Sequence, residues 1–324
     1  MRFVQTQASA MVRVRLISSL RIGRKMYVSV TPIKSDIGVV IEGLSGRRLA
    51  DPRVAEQCRV ALDKYGVVVC REANIEDSDL VALTKILGEV STDPATGEAG
   101  HPEVSIIGVD PSKSRFAPYR TATFVWHIDG VTDAVPRKAI LLSAQEVADE
   151  GGQTEFANTY AAYEALPESA KTKLINLRVL HTARKALEDA LRFADAELLS
   201  NRNLWDTETA VFGLGVRGGE LTCIREHRTR VQPLVWSRRN GRKSLVIGAT
   251  ATEVVDWPAD EGRALLDRLL GWSTQPKFVL RHQWRRGDLV IWDNTGMLHR
   301  AFPYKATSGR LMHRTTLVGE EAIS

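Results

Sequence analysis

The chain has 324 residues, of which 44% are hydrophobic and 26% charged, an ordinary composition for a globular protein with a sizeable core. No stretch approaches the roughly 20 apolar residues of a membrane helix, so no membrane span is expected. The net charge of +5 arises in residues 1–25, which carry six Arg or Lys residues and no acid, and the rest has a formal charge of −1. This near-neutral body argues against nucleic-acid binding.

Residues 1–25 form an N-terminal extension that we exclude from the fold. Their Arg-rich, Ser-containing, acid-free composition is that of a mitochondrial transit peptide. The alternative, which we favour, is a start at Met26, because "MYVSVTPIKSDIG" is typical of the beginning of a domain. We therefore expect a single domain over 26–324 and a cytoplasmic protein, mitochondrial only if the extension is a targeting segment. Three cysteines without a CxxC pair predict free thiols.

The first elements after the extension are two helices that flank a strand. Residues 51–66 predict a helix with Asp51 as its cap, Pro52 in its first turn and Gly66 just past its end. "VVVC" follows as a short buried strand, and "SDLVALTKILG" (78–88) predicts a second helix that ends at glycine.

From about residue 104 the pattern changes to short strands bounded by turn residues. The predicted strands are "VSIIGV", "TFVWHID", "AILLSAQEV", "KSLVIGAT", "KFVLRHQW" and "GDLVIWDN". Helical patterns interrupt them at 160–177 and 258–271, and we interpret 185–230 as a lid-like insertion over one face. Many short strands with a few helices outside predict a mainly β fold with flanking helices, such as a jelly roll.

One histidine differs from the other six because an acid follows it two positions later. His127 and Asp129 lie in a predicted strand, where residues i and i+2 point to the same side. His299 follows the turn after "GDLVIWDN" and offers a third ligand. Two histidines and one carboxylate form the iron site of non-haem Fe(II) oxygenases. Alternatively, His299 is an ordinary loop residue and His127 and Asp129 are a buried hydrogen-bonded pair.

A later arginine favours the metal hypothesis. Arg314 follows His299 by 15 residues, on the next predicted strand. An oxygenase of this kind needs a reductant beside the metal, usually 2-oxoglutarate. The far carboxylate of that molecule suits the planar, bidentate guanidinium of arginine better than the ammonium of lysine.

These motifs carry a family resemblance over roughly residues 30–319. "WHIDG", "GGQTEFANTYAAYEALP", "GDLVIWDNTGMLHR" and "LMHRTTL" resemble the taurine dioxygenase and 2,4-dichlorophenoxyacetate dioxygenase family of Fe(II)/2-oxoglutarate enzymes. The resemblance implies a double-stranded β-helix (jelly roll, cupin-like), with Fe(II) as cofactor and 2-oxoglutarate and O2 as cosubstrates. It implies iron on His127, Asp129 and His299.

The resemblance also implies the cosubstrate site. The hydroxyl of Thr154, in "GGQT", and Arg314 would hold the distal carboxylate of 2-oxoglutarate, and Arg310 matches a further family arginine with a looser role. Related halogenases replace the metal carboxylate with Gly or Ala. Because Asp129 is a carboxylate, the resemblance implies a hydroxylating enzyme.

The candidate substrate residues depart from both branches of the family. Asp93 and Thr123 stand where the taurine branch has a histidine-rich segment and an asparagine, and Ala251 where it packs an aromatic ring. Residues 241–304 are closer to the phenoxyacetate branch, although Thr250 and Glu253 replace its histidines. Arginines in and beside the insertion could meet an anion or form a solvated face; they are Arg184, Arg192, Arg202 and Arg217.

We therefore expect an enzyme that hydroxylates a C–H bond of a small organic anion, an aryloxy or other substituted carboxylate, and releases succinate and CO2. Hydroxylation beside an ether or ester oxygen would also cleave that bond. The alternatives are the same chemistry on a sulfonate, a sulfate ester or a phosphate ester such as a nucleotide, and a non-catalytic jelly-roll binding protein. We expect a homo-oligomer.

Overall fold

The computed structural model describes residues 20–21, 27–92, 97–98, 101–114, 117–190 and 229–324. The strands are β1 (Leu20–Arg21), β2 (Tyr27–Pro32), β3 (Val39–Glu42), β4 (Val67–Cys70), β5 (Gly97–Glu98), β6 (His101–Ile107), β7 (Ala139–Glu146), β8 (Thr154–Asn158), β9 (Arg178–Thr182), β10 (Thr229–Pro233), β11 (Val235–Ser237), β12 (Lys243–Leu245), β13 (Ala251–Val254), β14 (Val279–His282), β15 (Leu289–Asp293), β16 (Met297–Ala301) and β17 (Leu311–Thr316). The α-helices are α1 (Pro52–Tyr65), α2 (Asp77–Leu87), α3 (Ala117–Arg120), α4 (Thr159–Glu164), α5 (Glu168–Leu174), α6 (Ala183–Ala190) and α7 (Ala259–Ser273). Short 3₁₀ turns cover Gly46–Ala50, Thr121–Phe124 and Ala306–Ser308.

The ends of α1 confirm the prediction made from its sequence. The Asp51 carboxylate accepts a hydrogen bond from the backbone N–H of Arg53 at 2.8 Å, and Gly66 ends the helix with a φ of 68°. The positive φ of Gly66 favours glycine, and a side chain there would also displace the end of the Met297 side chain, which it would meet at 2.4 Å. One face of α1 packs on β4, the strand that follows it in the chain and belongs to the large sheet.

Two sheets form the jelly roll. The large sheet has the order β1-β2-β3-β4-β15-β7-β17-β6-β5, and a smaller one has the order β14-β8-β16. The apolar cluster between them includes Phe156, Trp284, Trp292, Met297 and Met312. The outer face of the large sheet packs on α1 and α2, and a third apolar cluster surrounds α7. The double-sheet β architecture is therefore confirmed.

One predicted strand is wrong, and it carries the candidate metal ligands. "TFVWHID" begins with the 3₁₀ turn Thr121–Phe124, and only His127 pairs with a strand, through an isolated bridge to His299 on β16. The turn packs against α6, and the N–H of Ala249 donates a hydrogen bond to the carbonyl of Trp126 at 2.8 Å. These tertiary contacts override the β-propensity of the segment.

Other predicted elements differ in extent. The helical pattern at 160–177 is two helices, because Pro167 starts a new helix and cannot continue the preceding one. In "KSLVIGAT" only Lys243–Leu245 is strand. The N-terminal extension is described only at 20–21, and the predicted insertion only at 185–190 and 229–230, so both interpretations lie largely outside the described residues. Among the described residues, no helix combines the length and apolar character needed to cross a membrane.

Candidate metal and cosubstrate site

The three predicted metal ligands meet at one point between the two sheets. The backbone N–H and C=O of His127 pair with those of His299 at 3.1 Å in both directions, which brings the two rings to a centroid distance of 4.1 Å. The ligand atoms of His127, Asp129 and His299 all lie within 4.8 Å of one another. The residues are therefore close enough to hold a single ion, as their spacing predicted.

Both imidazoles are oriented by the chain on their far side. Nδ1 of His127 lies 2.8 Å from the carbonyl of Val125, and Nδ1 of His299 lies 3.4 Å from the carbonyl of Met297. A ring that donates from Nδ1 presents the lone pair of Nε2 to the site. The two Nε2 atoms lie 3.7 and 4.0 Å from the oxygens of Asp129. Two imidazole nitrogens and one carboxylate, already aimed at one space, fit the donor set of Fe(II).

Burial and neighbouring charges favour the protonation states that a metal needs. Burial, together with the proximity of His127, lowers the pKa of His299 to about 3, so this ring is neutral at physiological pH. Burial alone would raise the pKa of the Asp129 carboxyl. The guanidinium of Arg314 and the two imidazoles outweigh that effect and hold it well below its usual range. Neutral histidines and an ionised carboxylate are the forms that bind a cation.

The two predicted cosubstrate arginines lie in different parts of the site. Nη1 of Arg314 is 3.3 Å from Oδ2 of Asp129, directly beside the metal position, and its Nε is buried without a hydrogen-bond partner. Arg310 is buried, donates to the Tyr304 hydroxyl at 3.1 Å and passes so close to Gly152 that a side chain there would meet its Cδ at 3.0 Å. Arg310 thus lies beside the "GGQT" segment.

Thr154 begins β8, in the same small sheet as His299. Nε1 of Trp284 donates to its hydroxyl oxygen at 2.9 Å. Because the indole N–H can only donate, the hydroxyl of Thr154 accepts there and keeps its own proton for another acceptor. The sequence did not single out Trp284, since a tryptophan near a strand end has no distinctive spacing.

The candidate substrate residues only partly come together. Thr123 belongs to the 3₁₀ turn that packs on α6, the helix that carries Arg184. Thr250 and Ala251 follow Gly248, where a side chain would meet the carbonyl of Trp126 at 2.7 Å. Only glycine therefore allows this segment to run so close to the segment that carries His127 and Asp129. Asp93 and the three other arginines lie outside the described residues.

His181 is a buried group on this side of the site that the sequence did not assign. Its Nδ1 bonds to the Thr250 hydroxyl at 2.9 Å, while its Nε2 is buried without a partner. Burial lowers its pKa from 6.5 to about 4. Between about pH 6.5 and pH 4, His181 is thus protonated in the unfolded chain and neutral in the folded protein.

We expect this histidine to make folding sensitive to acid. Stability should fall from pH 6.5 towards pH 4, by on the order of 2 kcal/mol between pH 7 and pH 5. His181→Gln, which stays neutral and can still bond to Thr250, should remove that part of the loss. Urea unfolding of both proteins at the two pH values measures it, and His299 contributes equally to both. Equal pH dependence of parent and variant would contradict the expectation.

Asn294 is a second buried residue at the site that sequence patterns did not distinguish. It is fully buried, and its side-chain oxygen accepts a hydrogen bond from the N–H of Asp129 at 2.9 Å. An amide in a turn is common in any sequence, so only the folded structure associates it with a ligand.

The fold is a jelly roll, and its cluster of two histidines and one carboxylate is of the kind that non-haem iron dioxygenases use. The family model described as "Taurine catabolism dioxygenase TauD, TfdA family" matches residues 29–316. The chain therefore belongs to this family, and it is a 2-oxoglutarate-dependent non-haem iron dioxygenase with iron as its cofactor. The alternative of a non-catalytic binding protein falls away, and the resemblance seen in the sequence is confirmed.

Two curated relatives and one solved structure are similar to this chain over most of its length. It is 30% identical over 296 residues to the "Alpha-ketoglutarate-dependent 2,4-dichlorophenoxyacetate dioxygenase" of Burkholderia sp., covering 86% of this chain and 90% of the relative. It is 26% identical to the "(S)-phenoxypropionate/alpha-ketoglutarate-dioxygenase" of Sphingobium herbicidovorans, and the match covers 90% of this chain and 96% of the relative. The structure of AAD-2 with Mn(II) and N-oxalylglycine matches with a TM-score of 0.70 and 26% identity, covering 92% and 99%.

Proposed function

We propose that this enzyme hydroxylates a C–H bond of a small organic anion, most simply an aryloxy or other substituted carboxylate. When bound, iron would supply the oxygen chemistry of the family: 2-oxoglutarate and O2 are converted to succinate and CO2, one oxygen atom of O2 entering succinate and the other entering the C–H bond of the substrate. If the hydroxylated carbon also carries an ether or ester oxygen, the product breaks down to a carbonyl compound and releases the leaving group. The residues of this chain bind, orient and neutralise the charges of the two organic molecules.

We assign the distal carboxylate of 2-oxoglutarate to Arg310 and Thr154. 2-Oxoglutarate would meet the metal with its 1-carboxylate and keto oxygens, and its other carboxylate lies three carbons beyond the keto group. Arg314, 3.3 Å from Asp129, is too close to the metal position to suit that far group. Arg310 lies beside Gly152, two residues before Thr154, whose hydroxyl proton is left available by Trp284. This assignment reverses the two arginines relative to the sequence prediction.

The position of Arg314 carries the proposal of an anionic substrate. Its guanidinium faces the metal position with a buried Nε that makes no hydrogen bond. A buried cation with free donor capacity next to the reacting position favours an anionic group of the substrate. The names of the two curated relatives, which describe aryloxy carboxylates, support the same substrate class.

A panel of compounds tests the substrate class. We expect succinate release above the substrate-free background with aryloxyacetates or aryloxypropionates, and none with their neutral amides, which keep the shape but lose the charge. Sulfonates, sulfate esters and phosphate esters form the other arms. Stimulation by an arm other than carboxylates would keep the anion and change its chemistry. Stimulation by the amides alone would refute the anionic substrate and leave the dioxygenase assignment intact.

A further inference from the structure

Asn294 binds both backbone polar groups of the metal-ligand residue Asp129. Its side-chain oxygen accepts from the Asp129 N–H, and its side-chain nitrogen donates to the Asp129 carbonyl, each at 2.9 Å. The same nitrogen donates to the carbonyl of Arg137 at 2.9 Å. The side chain is fully buried, and these three bonds use both its donor protons and its acceptor.

The position of Asn294 in the chain gives these bonds a second consequence. It lies in the turn between β15 and β16, five residues before His299, and its own N–H donates to the carbonyl of Lys138. The segment that holds Asp129 is irregular, with only His127 bridged to a strand. Asn294 therefore connects the irregular segment that carries His127 and Asp129 with the regular strand that carries His299, and no sheet ladder does this for Asp129.

We infer that Asn294 is a positioning residue of the metal centre. It holds the backbone of Asp129 so that the Asp129 carboxylate stays in the space faced by the Nε2 atoms of His127 and His299. This inference rests on the proposed metal ligands. The carboxylate itself has one described hydrogen bond, the 3.3 Å contact with Arg314, so its direction depends chiefly on the backbone. Only a side chain with both a donor and an acceptor can bind both the N–H and the C=O of one residue. Aspartate would keep the acceptor alone, and alanine neither.

The test compares the affinity for Mn(II), used as a redox-stable probe, in Asn294→Ala and in a matched control. Gln232 is also a buried amide that clamps the same loop, donating to the carbonyls of Val131 at 2.9 Å and Asp133 at 3.3 Å, without contact to a ligand. We expect both variants to lower the melting temperature. Asn294→Ala should weaken Mn(II) binding about 10- to 100-fold, as loss of a group that orients a metal ligand typically does. Gln232→Ala should change it less than threefold.

The signal of free Mn(II) in electron paramagnetic resonance gives the dissociation constant without any turnover. Asn294→Asp, which retains one of the three bonds, should lie between the parent and alanine. Equal Mn(II) affinity of parent and Asn294→Ala would overturn the inference, and so would equal weakening by Gln232→Ala. If neither Asn294 variant folds while Gln232→Ala does, Asn294 serves the loop as a whole and the inference fails. Asp129→Ala separates the two levels: if it retains Mn(II), the ligand assignment itself is wrong.

Discussion

Replacing Asp129 with alanine is expected to abolish succinate formation and to weaken Mn(II) binding by more than 100-fold. The carboxylate is the only anionic member of the three proposed ligands. Without it, the guanidinium of Arg314 would face two imidazoles and no anion, and would repel an incoming cation. Losing a group that merely orients a ligand costs about 10- to 100-fold, so losing the ligand should cost more. Mn(II) titration and oxygen-dependent conversion of 2-oxoglutarate measure both effects.

A neighbouring acid provides the control. Asp133 lies four residues further along the same loop, half exposed, with its carboxylate 3.9 Å from Arg137. Asp133→Ala removes a charge of the same sign from the same loop but not from the centre. We expect its Mn(II) affinity and succinate formation to stay within about twofold of the parent, because exposed ion pairs contribute little. Full activity of Asp129→Ala would show that the metal lies elsewhere.

The sequence predicted which side chains come together better than it predicted the backbone that carries them. The three residues have the side-chain chemistry and the spacing of a metal site, and neither depends on a regular strand. His127, Asp129 and His299 therefore meet as expected. The predicted strand around His127 is wrong because contacts from Gly248 and α6 decide its shape, and both lie far away in the chain. Helix α1 was predictable to within a residue, since Asp51 and Gly66 act locally.

The order of the two arginines illustrates the limit of spacing. Arg310 directly precedes β17 and Arg314 lies within it. Four residues of extended chain separate their backbones by about 13 Å. The sequence indicates that both belong to the site, but not which one meets which carboxylate. That depends on the partners brought by the other segments: Gly152 beside Arg310, and Asp129 beside Arg314. Long-range pairing of this kind leaves no local pattern.

Two lysine substitutions should therefore separate the cosubstrate from the substrate. Arg310→Lys keeps the charge and loses the planar fork, so we expect the KM for 2-oxoglutarate to rise about 10- to 100-fold. This corresponds to roughly 1.5–3 kcal/mol for a charge-assisted hydrogen bond. The KM can be measured from substrate-free succinate release, which requires no knowledge of the substrate. Arg314→Lys should leave this KM within about threefold and raise the KM for the best anion of the panel by the larger factor.

A third arginine supplies the matched control, and the two KM values distinguish the possible assignments of Arg310 and Arg314. Arg281 on β14 pairs with Glu155 at 2.8 Å and is half exposed, away from the three ligands. Arg281→Lys should leave both KM values unchanged, so a general effect of arginine loss is excluded. If Arg314→Lys raises the KM for 2-oxoglutarate and Arg310→Lys does not, the distal carboxylate lies at Arg314, as the sequence suggested. The substrate anion would then need another cation. If each lysine variant changes only its own KM, the geometry of the site accounts for both molecules: the cosubstrate extends from the metal towards Thr154, and the substrate anion is held beside Asp129.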